Sequence, residues 1–73
     1  FEYDKELFES LRIKRGELAQ KIGVPAYIIF SDKTLKHLAN DKPYDKATML
    51  EVNGVGEVEF ERYGEEFLEI INP

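Results

Sequence analysis

The chain has 73 residues, room for one domain and no more. It contains no cysteine, which excludes disulfides, thiolate metal sites and a cysteine nucleophile, and agrees with a cytoplasmic origin. Its net charge of −5 argues on its face against nucleic acid, but the distribution says more than the sum. Residues 1–11 carry four acidic side chains against one basic, for −3; residues 12–46 carry eight basic against four acidic, for +4. Residues 47–73 carry seven glutamates against Arg62 alone, for −6. A locally positive surface can therefore sit on an acidic domain.

A chain this small buries only about 60% of the surface that its unfolded form exposes. Its core alone should supply about 3–5 kcal/mol. No apolar run approaches the ~20 residues of a membrane span, and no signal-peptide pattern opens the chain. It begins on Phe1 and ends at Pro73 without an initiator Met, which reads as a piece of something longer.

In chain order, Asp4 is the expected N-cap of a first helix running to about Ile22. Leu7, Phe8, Leu11, Leu18 and Ile22 form its apolar stripe, with Ala19 at the edge. Arg15 falls on that stripe. An arginine there packs its stem on the core and turns its guanidinium to a carboxylate or a carbonyl. Ile13 points to solvent. Gly16 sits mid-helix on the outside, at a cost of roughly 1 kcal/mol against alanine. Gly23 ends the helix and Pro25 prevents its continuation. The run of residues 24–30, VPAYIIF, is too short for a helix of its own and has no strand to pair with, so it is predicted as an extended or 3₁₀ connector.

Ser31 caps a second helix, with Phe30 and Leu35 at the two positions of a hydrophobic staple. Leu35, Leu38 and Ala39 face inward, and Lys33, Lys36 and His37 lie on the outer side and flank. The helix stops at Asn40-Asp41-Lys42-Pro43. The same signal then repeats: Asp45 is the cap, with Tyr44 and Met49 at the staple positions of a short third helix over residues 46–52. Asn53-Gly54-Val55-Gly56 reads as a sharp reversal. Beyond it, Phe60, Tyr63, Gly64, Phe67, Leu68 and Ile71 make one face of a last helix, the largest apolar surface in the chain. The predicted fold is all-α, a compact bundle of four short helices, or five if the turn region contributes one.

Catalysis needs a constellation that this sequence does not supply. The single His37 lies among lysines, the glutamates of the last helix sit opposite its apolar face, and Gly-Val-Gly is followed by Glu57 where a phosphate loop needs Lys-Ser/Thr. The domain reads as non-catalytic, with no metal and no cofactor.

Taken together, several segments resemble a known module. They are Leu11-Arg12 with Arg15 and Glu17-Leu18-Ala19; residues 24–32, VPAYIIFSD; Leu35 with Leu38-Ala39; residues 49–56, MLEVNGVG; and residues 62–68, RYGEEFL. In order and spacing they resemble the HRDC domain (helicase and RNase D C-terminal) over residues 7–71. The connector motif and the Tyr-Gly-x-x-Phe-Leu helix favour the version carried by RecQ-type DNA helicases.

The resemblance implies an auxiliary nucleic-acid-binding or regulatory bundle in a DNA repair and recombination enzyme, associated with the bacterial nucleoid. ATP hydrolysis and unwinding would belong to other domains. Some members bind single-stranded DNA weakly through a connector aromatic, and Tyr27 holds the matching position. Lys21, Lys33 and Lys36 are the phosphate contacts that connectivity brings near it, with Arg12, Lys14 and Lys42 further out. Expected partners are single-stranded or branched DNA and the helicase core of the parent chain, with no membrane, and the isolated domain should be monomeric. The Asn53–Gly56 turn also resembles a phosphate-binding helix-hairpin-helix element. However, Glu57 and Glu59 follow it and would repel a phosphate, so it reads as structural. A different class of function stays open: a protein-docking module that uses the acidic last helix or the Ile13 surface.

Overall fold

Three side-chain caps open the main helices, each oxygen accepting a backbone N–H that the first turn leaves without a partner. The computed structural model describes residues 2–73. In it, Asp4 accepts from Leu7 at 3.0 Å and opens α1 (Lys5–Ile22). Ser31 accepts from Thr34 at 3.1 Å and opens α3 (Asp32–Asp41). Asp45 and Thr48 cap each other reciprocally and open α4 (Lys46–Leu50). All three predicted caps are in place.

Between α1 and α3 lies α2 (Ala26–Ile29), one helical turn where the sequence suggested an extended or 3₁₀ connector. Pro25 supplies its first carbonyl, which accepts the Ile28 N–H at 3.0 Å in an i→i−3 bond of the 3₁₀ kind. The run is helical because Ile29 and Phe30 both reach the core from it, at 1% and 3% exposure. This turn, and not the glycine turn, supplies a fifth helix among the described residues.

After α4 the backbone makes successive tight turns, Glu51 N–H to Thr48, Val52 N–H to Met49 and Val55 N–H to Val52. Gly54 sits there at φ 91°, in the left-handed region. Then α5 (Glu57–Glu59), a π-helical turn (Phe60–Gly64) and α6 (Glu65–Ile71) run on as one continuous helix. A π turn brings residues four apart nearly into register. Gly64 lies against the Phe60 ring, and a Cβ on it would collide with the ring carbons.

The core gathers Leu11, Leu18, Ile29, Leu35, Leu38, Met49, Val52, Val55 and the predicted face of the last helix: Phe60, Tyr63, Phe67 and Leu68. Phe30 is at its centre, edge-on to Phe67 with ring centroids 5.1 Å apart and to Tyr63 at 6.2 Å. Three expectations need correction. Ile22 is half exposed, because the Gly23 turn (φ 84°) carries Val24 back to the Ala19 carbonyl and onto the core, leaving Ile22 outside. Tyr44 is 72% exposed while Met49 is fully buried, so the second staple is not made. Lys33 is on the outer side, while Lys36 and His37 sit half-buried on the flank, so His37 is less outward than expected; the N-terminal Tyr3 ring lies under the Lys36 ammonium at 5.6 Å. Gly16 has open space around it, and nothing in the structure explains it.

Candidate nucleic-acid interface

Tyr27 stands on α2, and its position follows from how that turn is held. At the N-terminal side the Gly23 reversal ties the chain to Ala19, with Gly23 N–H at 2.8 Å and Val24 N–H at 3.0 Å. At the C-terminal side Arg15, which is buried, donates from Nη1 to the Phe30 carbonyl at 3.0 Å. Its Nη2 lies 2.8 Å from the Asp32 carboxylate. Arg15 thus meets both a carbonyl and a carboxylate, as its place on the α1 stripe suggested. With Ile29 inward and both ends anchored, the remaining face of α2 turns out. Tyr27 is 70% exposed there.

Of the predicted basic residues, the structure leaves two unengaged. Lys21 in the last turn of α1 and Lys33 in the first turn of α3 are exposed, and among the described residues neither has a carboxylate within ion-pair distance. They are the residues that lead into and out of the segment carrying Tyr27.

The other four have partners in the chain. Lys36 sits over Tyr3. Lys42 reaches Asp4 at 3.1 Å. Lys14 lies 3.7 Å from Glu66, and Arg12 pairs with Glu9 one turn back. Sequence spacing could not separate these two groups, since lysines at helix ends look alike until the neighbouring element is known.

Two further apolar residues near Tyr27 in the chain, Ile22 and Ile28, are each 50% exposed, and the sequence did not single them out as surface. The signal was weak, because an unbroken apolar run such as residues 24–30 has no periodicity to say which side chain turns in.

The glycine turn is closed to an anion. Gly56 N–H, the donor a phosphate would need at that helix start, already donates to the Glu59 carboxylate at 3.1 Å. A groove of about 310 Å³ at the α3–α4 corner is lined by Tyr44, Pro43 and Lys42, but also by Asp41 and Glu51, so its two carboxylates outnumber its one cation. Perturbed titrations lie elsewhere and have structural causes. Asp4 is held below the ordinary carboxylate range by the Leu7 N–H and then by Lys42. Asp45 is lowered by the Thr48 N–H and hydroxyl. Lys46 is raised, chiefly by its hydrogen bond to Glu61 at 3.0 Å and by the charge of Glu57. Among the described residues no carboxylate or histidine cluster could hold a metal, and no helix is long and apolar enough to cross a membrane.

Residues 4–71 match the family model described as HRDC domain. The ATP-dependent DNA helicase RecQ of Pasteurella multocida is 49% identical over 70 residues, 96% of this chain and 11% of that protein. RecQ of Bacillus subtilis is 44% identical over 66 residues, 90% of this chain and again 11% of the relative. The chain thus spans about a tenth of the length of these relatives. A solved structure, HRDC domain 3 of Deinococcus radiodurans RecQ, superimposes with a TM-score of 0.87 at 42% identity, covering 90% of this chain and 87% of that one. These matches place the chain in the HRDC domain family, an auxiliary and non-catalytic module of RecQ helicases.

Proposed function

We propose that this domain is a piece of a longer RecQ-type DNA helicase, where it binds single-stranded or branched DNA weakly and tunes how the enzyme engages its substrate. The contact is Tyr27 stacking on a base, with Lys21 and Lys33 meeting phosphates. Base–aromatic stacking contributes about 1–3 kcal/mol per base with little sequence preference. The observation that carries this reading is the pairing of a 70% exposed tyrosine with the two lysines that lack a carboxylate partner among the described residues. Lys36, Lys42, Lys14 and Arg12 serve as outer contacts. Exposed ion pairs are worth only about 0–1 kcal/mol, so a phosphate can draw Lys42, Lys14 and Arg12 from their present partners; Lys36 would have to leave the Tyr3 ring. The relatives are named as DNA helicases, which agrees.

The test is anisotropy of a labelled single strand titrated with this 73-residue chain at low salt. Tyr27→Ala and Lys33→Glu should each weaken binding; unchanged affinity in both removes the site.

A second reading, docking onto the helicase core of the parent chain, draws support from two glutamates and an isoleucine. Glu65 and Glu69 are exposed on α6 without an ion pair among the described residues, and Ile13 is 53% exposed. Much of the acidic surface is already spent inside the domain, however. Glu57 and Glu61 hold Lys46, Glu66 faces Lys14 and Glu59 caps Gly56. Titration with the helicase core separates the two: core binding without any DNA shift would favour docking.

A further inference from the structure

Six large apolar side chains stand exposed among the described residues, and three of them, Ile22, Tyr27 and Ile28, fall within seven residues of chain. That concentration is not required by the fold. Ile29, Phe30 and Val24 already supply the inward contacts of the same segment, so Ile22 and Ile28 could be polar without loss to the core. The charge pattern is equally local. In a chain with 15 acidic residues, residues 18–31 contain none. Asp32, which follows, is engaged by Arg15 at 2.8 Å.

We infer that Ile22 and Ile28 widen the Tyr27 contact into an apolar shelf that takes unpaired nucleobases by their faces, the flanking Lys21 and Lys33 holding the phosphates between them. This rests on the nucleic-acid reading above and deepens it. A single strand is the occupant that needs both features at once: its bases present flat apolar faces and its backbone presents anions. A duplex hides those faces in its stack, so it can offer the shelf only phosphates. Beyond the Tyr27 hydroxyl, the three side chains carry no hydrogen-bonding group, so the shelf cannot read base identity. The backbone that carries the shelf is tied at both ends, by the Gly23 turn and by the Arg15–Phe30 bond, so capture need not order the main chain there.

The test compares a natural single strand with an abasic strand of equal length and charge, against wild type, Ile22→Ser, Ile28→Ser and Tyr27→Ala. Circular dichroism confirms that the variants fold, as their exposure at these positions allows. Each isoleucine variant should bind the natural strand about threefold more weakly, because serine covers less of the base face than isoleucine does. On the abasic strand, wild type and isoleucine variants should converge. Isoleucine variants that bind the natural strand like wild type, while Tyr27→Ala weakens it, overturn the shelf and leave the proposed function standing. An equal weakening on both strands also overturns the shelf, since the isoleucines would then act on something other than bases. Should Tyr27→Ala and Lys33→Glu leave binding untouched as well, the proposed function fails with it.

Discussion

The Arg15 guanidinium donates to the Phe30 carbonyl across fifteen residues of sequence, at 3.0 Å and out of solvent. Through this one bond α1 fixes the junction of α2 and α3. Phe30 is then held from both sides, by Arg15 at its backbone and by the Tyr63 and Phe67 rings at its side chain. The exposed face of α2, Tyr27 included, inherits its orientation from that clamp. Among the described residues Arg15 Nε is buried without a hydrogen-bond partner, so the other two nitrogens hold the residue.

Replacing Arg15 by Met should therefore destabilise the domain by about 1–3 kcal/mol, since the Phe30 carbonyl loses its donor while the stem keeps its packing. Arg15→Lys should recover only part of this, because an ammonium cannot serve the carbonyl and the Asp32 carboxylate in the same fork. Urea unfolding followed by circular dichroism measures both. A Lys variant as stable as wild type would show that charge alone suffices.

The glycines should separate into two classes. Gly54→Ala meets both a positive φ of 91° and the Thr34 hydroxyl, which stands in the space of the new Cβ. Gly64→Ala drives a methyl into the Phe60 ring, which is itself buried. Each should cost about 1–3 kcal/mol. Gly16→Ala, mid-helix in open space, should instead raise stability by roughly 1 kcal/mol. The three midpoints in one denaturant series decide it.

Acid should weaken the two aspartate caps. Asp4 and Asp45 titrate below the ordinary carboxylate range in the folded chain, held there by the N–H groups that they cap. A depressed carboxyl contributes stability above its unfolded pKa of about 4 and loses it as pH falls through the folded value. The unfolding midpoint should accordingly drop as pH goes below about 4. An Asp4→Asn, Asp45→Asn double variant, which keeps neutral caps, should show a shallower acid slope. Lys46 works in the opposite sense: its pKa is raised by Glu61 and Glu57, so its contribution is full below its unfolded value and fades only in strong alkali.

Salt should report how many phosphates are met. With Lys21 and Lys33 as the contacts, log K for a single strand should fall against log salt with a slope of about −1.4. Lys33→Glu should flatten that slope as well as lower the affinity. A slope near about −4 would mean that Lys36, Lys42, Lys14 and Arg12 have joined the contact.

Much of this domain is determined by sequence alone, because the interactions concerned are short in range. An aspartate or serine three residues before a free N–H caps a helix whatever lies beyond, so Asp4, Ser31 and Asp45 could be placed from spacing. The apolar face through Phe60, Tyr63, Phe67 and Leu68 is likewise a property of one helix, and Arg15 on the α1 stripe had to find a buried acceptor. What the tertiary structure decided depends on which element passes which. The VPAYIIF run became a helical turn because Ile29 and Phe30 both had a core to enter, and a π turn formed where Gly64 makes room for the Phe60 ring. Lys36 and Lys42 are drawn to Tyr3 and Asp4 by an N-terminal segment that no spacing rule brings to α3. Lys21 and Lys33 stand apart from any carboxylate among the described residues, beside an exposed Tyr27, for the same reason: long-range packing sets which charges meet a partner.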